Sequence, residues 1–190
     1  MDDREKKRRL FVGIQLDDAS RTAFAGVSKD LQRTGFAAKY ESPEKFHVTL
    51  AFLGNIVANQ FEAIASALDG VAAKTAPFAL TLDKIGAFPH ERRPRVVYIG
   101  AREQGAPFQK LAQSVRGSYA ALGFHFDDDS VAHVTIARVK DPRAQLRSIE
   151  FAPIGFEVSS LSLFESLFDP RANTSRYEIT RLAPLIASSP

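Results

Sequence analysis

At 190 residues, with 45% hydrophobic and 10% aromatic content, the chain can fill one substantial core, as one large domain or two small lobes. It contains no Cys, which excludes disulfides, thiolate metal sites and a cysteine nucleophile. Formal charge is +3, and residues 2–9, with five bases against three acids, carry +2 of it, so residues 10–190 net only +1. That balance excludes the broad basic face of a non-specific nucleic-acid binder. Arg outnumbers Lys by sixteen to nine, which suits bidentate phosphate contact. No apolar run approaches a signal or membrane-spanning length, so a cytoplasmic protein without membrane contact is expected.

LFVGIQL (10–16) reads as a buried strand, after a charged tail over 1–9. Asp17, Asp18 and Ser20 offer caps for a helix carrying Phe24, Val27 and Leu31 and ending near Gly35. KFHVTLAFLG is a second strand, and residues 58–73 make another amphipathic helix. PFALTLDKIGAF (77–88) reads as one strand and PHERRP (89–94) as a turn. A strand over 95–101 and a helix over 105–122 follow, the latter with Phe108, Leu111, Val115, Tyr119 and Leu122 on one face and Gly123 at its end. VAHVTIARV is the next strand, and GFEVSSLSLFES (155–166) and RYEITRLAPL (176–185) close the chain.

His-Val-Thr occurs twice, at 47–49 and 133–135, where random placement of the four His and eight Thr predicts about 0.17 His-x-Thr triplets. Phe11 precedes His47 by 36 residues and Val97 precedes His133 by 36, and each unit runs strand, helix, Gly-Phe, loop, motif strand. The fold expected is α+β and bilobal: two duplicated β-α-β lobes about a pseudo-twofold axis, with antiparallel sheets lining a central cleft and helices outside. The whole chain, 1–190, is one such domain.

On a strand, His47 and Thr49 share one face, as do His133 and Thr135, while Val48 and Val134 point to the core. If the lobes face each other, the two polar pairs converge. One imidazole can then remove a proton while the other donates one, and the Thr hydroxyls can bond non-bridging phosphoryl oxygens. Those groups fit in-line displacement at phosphorus without a metal or other cofactor. Two His with no Cys and no fixed carboxylate are a thin set for zinc, and Asp127 to Asp129 read as a solvated loop run. His90 and His125 lie outside the motif and are read as non-catalytic. Any single strand His is also compatible with a purely structural role.

FHVTLAFLG and AHVTIARVK resemble the paired signature of the two-histidine phosphoesterase superfamily, in particular the RNA 2′,3′-cyclic phosphodiesterases, historically named 2′-5′ RNA ligases. FVGIQLDD, SPEKFHVTLAFLG, GAFPHERRPRVVYIG and the closing strand pair extend the resemblance over nearly the whole chain. It implies hydrolysis of RNA or nucleoside 2′,3′-cyclic phosphate ends to a 2′-phosphate, with His47 as general acid on the 3′ oxygen and His133 as general base on water. It maps the motif Thr onto Thr49 and Thr135, a phosphate contact onto Arg138, and base stacking onto Phe52. Strict alternation sets both Phe52 and Arg138 on the face opposite the His, unless a bulge turns them. The partners expected are RNA with 2′,3′-cyclic phosphate ends or cyclic nucleotides, and the protein is expected to act as a monomer.

Two other readings stay open. The same groups run in reverse join a cyclic phosphate end to a 5′-hydroxyl. From a different class, a non-catalytic RNA-end-binding module would keep the His pair only as hydrogen-bond donors.

Overall fold

The computed structural model describes residues 7–127, 130–141, 143–147 and 149–186. Strand β1 (Arg8–Gln15) begins two residues before the apolar run. Arg8, assigned from sequence to the charged tail, is held in the sheet: its Nε and Nη2 both donate to Glu165 Oε2, at 3.0 and 2.7 Å, and its guanidinium lies 4.7 Å from the Phe61 ring centroid. The tail expectation for residues 1–6 falls outside the described residues.

Helix α1 (Asp18–Arg33) starts where Asp17 Oδ1 accepts from the Ser20 N–H at 2.6 Å, and it buries Phe24, Val27 and Leu31. A two-residue strand β2 (Lys39–Tyr40) and a 3₁₀ turn at Pro43–Lys45 lead into β3 (His47–Ile56), and a second 3₁₀ turn at Ala58–Gln60 opens α2 (Phe61–Ala72). The apolar run 77–88 is two strands, β4 (Phe78–Leu82) and β5 (Lys84–Phe88). They part at Asp83, whose N–H donates to Gly100 O at 2.9 Å while its carboxylate accepts from the Arg102 N–H at 2.8 Å. After β6 (Val96–Gly100), α3 (Ala106–Ala120) buries Phe108, Leu111, Val115 and Tyr119. Leu122 lies beyond its end and is exposed, so it does not belong to the buried face.

The run 155–166 also divides, into β8 (Ile154–Val158) and β9 (Ser160–Asp169), after β7 (His133–Arg138); β10 (Thr174–Pro184) pairs back on β9. β4 and β8 form their own two-stranded sheet. The remaining strands form one antiparallel sheet in the order β10-β9-β1-β3-β7-β6-β5, with β2 added on β7. The two lobes therefore share a sheet, joined where Val48 pairs with Val134.

The helices back the sheet crosswise. α1 packs against β7 and β8, with Phe24 and Phe156 ring centroids 6.1 Å apart, while α3 packs against β3 and α2. The buried Tyr119 hydroxyl donates to Ile64 O at 3.0 Å and ties α3 to α2.

The register also refines the repeat. Phe11 pairs with Phe52, and Val96, not Val97, pairs with Arg138. Since Phe52 and Arg138 both stand five residues after their His, the structural counterpart of Phe11 is Val96, and the second spacing is 37 residues.

Candidate active site

Extending the antiparallel register one residue each way from Val48 and Val134 sets His47 across from Thr135 and His133 across from Thr49, all four on the face opposite the buried valines. The two His are then diagonal neighbours, with roughly 7–8 Å between them on an ideal ladder. All four line one cleft of about 980 Å³.

Backbone carbonyls aim both imidazoles. His47 Nδ1 lies 2.6 Å from Lys45 O, and His133 Nδ1 lies 2.7 Å from Val131 O, each carbonyl two residues upstream. A carbonyl only accepts, so Nδ1 carries the proton and Nε2 is the unprotonated nitrogen of each neutral ring. His47 Nε2 sits 3.0 Å from Thr49 Oγ1, so in the neutral ring the hydroxyl donates to it. Burial pulls the His47 imidazole down to about 4; the Lys45 carbonyl and Glu41 work against this, while His133 and Arg138 add to it. With only the protein's own groups around it, His47 is thus neutral at pH 7.

Aromatic rings wall both histidines. Phe11, Phe164 and Tyr177 surround His47, with centroids 4.8, 5.5 and 5.1 Å away. Phe88 and Tyr98 flank His133 at 5.1 and 5.3 Å. Tyr98 fits because Gly86 and Gly100 leave it room: a Cβ at Gly86 would come within 2.5 Å of its hydroxyl oxygen.

Phe52 and Arg138 both line the cleft, contrary to strict alternation. The cause is a β-bulge at the same motif position in each strand. Val12 pairs with Ala51 and Gly13 with Thr49, skipping Leu50; Val97 pairs with Ala137 and Tyr98 with Thr135, skipping Ile136. Two consecutive residues, Leu50-Ala51 and Ile136-Ala137, face the core, and the next one turns out. Phe52 is 63% exposed.

Several cleft residues were not read from sequence. Glu41 and Lys45 reach the site through β2 and the turn after it, and Tyr177 through the β9–β10 hairpin. Glu41 accepts from Arg138 Nε at 2.9 Å and from Lys45 Nζ at 3.2 Å. Lys45 also reaches Thr174 Oγ1, and Lys39 Nζ reaches Asn173 O at 3.1 Å, so the hairpin tip closes on β2 and its turn. His90 sits in the β5–β6 turn outside this cleft, whereas His125 and Asp127 lie on its wall; Asp128 and Asp129 are outside the described residues. Among the described residues, no group of three His, Asp or Glu side chains is placed to hold a metal ion. No helix among them is long and apolar enough to cross a membrane.

The family model described as LigT like Phosphoesterase matches the chain twice, over residues 14–98 and 99–172, one match containing His47 and the other His133. An RNA 2′,3′-cyclic phosphodiesterase of Archaeoglobus fulgidus is 34% identical over 168 residues, 86% of this chain and 93% of the relative. A solved Thermus thermophilus structure, TT0787, superposes with a TM-score of 0.83 at 24% identity, covering 95% of this chain and 100% of that one, and shows the common fold. E. coli LigT complexed with 3′-AMP superposes with a TM-score of 0.76 at 26% identity, covering 95% of this chain and 99% of that one. With the paired motif, the shared bulge and the duplicated lobes all in place, the chain belongs to the LigT-like phosphoesterase family.

Proposed function

We propose that the protein is an RNA 2′,3′-cyclic phosphodiesterase that opens cyclic phosphate ends to 2′-phosphates with a His/His acid–base pair and no metal. The observation that carries this reading is the diagonal His pair in one cleft, each ring fixed with Nε2 as its working atom. The relative's activity and the 3′-AMP bound by E. coli LigT support the substrate class.

In the reaction, His133 Nε2 takes a proton from water as its oxygen attacks phosphorus, and the bond from phosphorus to O3′ breaks as His47 Nε2 protonates O3′. The phosphoryl group remains on O2′, the product that the family resemblance implies. Thr49 and Thr135 donate to the non-bridging oxygens, and Arg138 supplies the cation beside them. Phe52 offers an exposed ring on which the terminal base stacks.

Before substrate binds, His47 is neutral. A neutral imidazole cannot donate from Nε2, so the acid must gain its proton with the substrate, whose negative charge favours the imidazolium. Binding and activation are then one event.

The test is incubation of RNA ending in a 2′,3′-cyclic phosphate with the protein in EDTA, with the product resolved as 2′- or 3′-phosphate. Turnover to the 2′-phosphate is expected. Absence of turnover, or turnover that EDTA abolishes, refutes the proposal.

A further inference from the structure

Arg138 is the cation of the proposed site, yet it sits at the end of β7 with a side chain 55% exposed. A long side chain in that setting samples many rotamers, and fixing it on a substrate costs conformational entropy. Something must aim it.

Glu41 is placed to do so. Its own position is set by backbone: Lys39 pairs with Arg138, Tyr40 pairs with Ala137, and the Glu41 N–H donates to Ile136 O at 2.9 Å. Its side chain is only 12% exposed, and its two carboxylate oxygens are divided between two cations. Oε1 accepts from Arg138 Nε at 2.9 Å, and Oε2 accepts from Lys45 Nζ at 3.2 Å. The bond to Arg138 uses Nε, which leaves the edge formed by the two Nη groups, at the far end of the guanidinium, outside that hydrogen bond. Lys45 in turn fixes the carboxylate's orientation, and its carbonyl oxygen holds His47 Nδ1.

A carboxylate beside an anion site carries an electrostatic penalty, since it repels the phosphate. That penalty makes sense only if order matters more than attraction. Glu41, Lys45 and Arg138 together still net one positive charge, so the cleft retains its pull on an anion while its guanidinium is held in one place.

We infer that Glu41 is a positioning residue: it presents the Nη groups of Arg138 to the phosphoryl group, and acts on the reaction through Arg138. The inference rests on the cyclic phosphodiesterase reading. It does not follow from the shared motif, because Glu41 lies six residues before His47, outside His-x-Thr.

The experiment is a double-mutant cycle on hydrolysis of a nucleoside 2′,3′-cyclic phosphate, with Glu41→Ala, Arg138→Ala and the pair. Glu41→Ala is expected to lower kcat roughly 10-fold, the size of one charge-assisted hydrogen bond, with KM unchanged or reduced because a repelling charge is gone. In the Arg138→Ala background the same change should cost clearly less, since there is no guanidinium left to aim and only the direct charge effect of Glu41 on His47 remains. Glu41→Gln keeps an oxygen for Arg138 Nε and should retain most of kcat. Wild-type kcat in Glu41→Ala, a loss undiminished in the Arg138→Ala background, or a Gln variant as impaired as the Ala variant overturns the inference. A wild-type protein inert on the cyclic phosphate refutes the functional reading instead, and the cycle is then read on calorimetric binding of a nucleoside 2′-monophosphate. In that case coupling between the two positions supports Glu41's role, and additivity overturns it.

Discussion

Val48 and Val134 pair across the two motif strands, and both are fully buried. This contact is the centre of the site's symmetry. Because it lies one residue from both His and both Thr, any shift of one lobe against the other would change the separation of the two polar pairs, and the buried pairing holds that separation. The site is therefore as rigid as the sheet that carries it, and its residues need no loop to bring them together.

Replacing either histidine should remove catalysis and spare the fold. Acid–base groups contribute roughly 10² to 10⁴ each, so His47→Ala and His133→Ala should lower kcat by that order. Urea midpoints and binding of a nucleoside 2′-monophosphate should change little by comparison. A variant that binds normally and also turns over normally would exclude that histidine from the chemistry; loss of binding with no rate to lose would favour a non-catalytic module.

The pH profile should differ between the free and the loaded enzyme. An acid must be protonated to work, so activity falls as pH rises through its pKa. In the free protein burial holds His47 at about 4, and the negative charge of a bound substrate should raise it. The alkaline decline of kcat/KM, which reports the free enzyme, should therefore come at lower pH than the decline of kcat, which reports the complex. Coincident declines would mean that substrate charge does not recharge His47. The same burial predicts a stability slope. The unfolded chain binds the His47 proton near pH 6.5 and the folded one only near 4, so stability should fall as pH drops between those values. His47→Gln should flatten that slope.

Phe52 should matter for substrate and not for folding. At 63% exposure it contributes little to the core, and Phe52→Ala should shift stability by less than about 0.5 kcal/mol. If a base stacks on it, the substitution should weaken binding of a nucleoside cyclic phosphate by about 1–3 kcal/mol. Phe52→Tyr should retain affinity. Equal affinity in the Ala variant would remove the stacking role.

Two glycines should respond in opposite directions to a methyl group. At Gly86 an added Cβ meets the Tyr98 ring at 2.5 to 2.9 Å, and that ring is stacked on Phe88, at 4.5 Å, and packed against His133. Gly86→Ala should destabilise by about 1–3 kcal/mol and lower kcat by displacing His133. Gly70, exposed within α2, has nothing within 4 Å, so Gly70→Ala should stabilise by up to about 1 kcal/mol. Denaturant midpoints and kcat for both variants check this pair.

The repeated His-Val-Thr, β1, the Asp17 cap and the face of α3 were all legible in sequence because each has a local signal of residue type and period. The splits at Asp83 and Ser159 were not. Apolar character runs straight through both, and only the hydrogen bonds of Asp83 to Gly100 and Arg102 reveal that one run serves two sheets. Glu41 and Lys45 were missed because they reach the cleft through a two-residue strand and a single turn, neither of which has a period to read, and Tyr177, inside the strand read over 176–185, because a strand's period does not say which neighbour it will face. The bulges did leave a trace, the neighbouring apolar pairs Leu50-Ala51 and Ile136-Ala137, which break alternation where it should have continued.

Those pairs make the bulged backbone, more than composition, the feature the two motifs cannot lose. A core position such as Leu50 tolerates another apolar residue of similar volume at modest cost. Straightening the strand there is a different kind of change. With Leu50 and Ala51 both kept but the bulge lost, regular alternation would point Ala51 outward, swing Phe52 into the interior and turn Leu53 out of it. Loss of the bulge at Ile136-Ala137 would likewise drive the Arg138 guanidinium into the hydrophobic core, so in both halves the bulge is a mechanical requirement of the motif's chemistry.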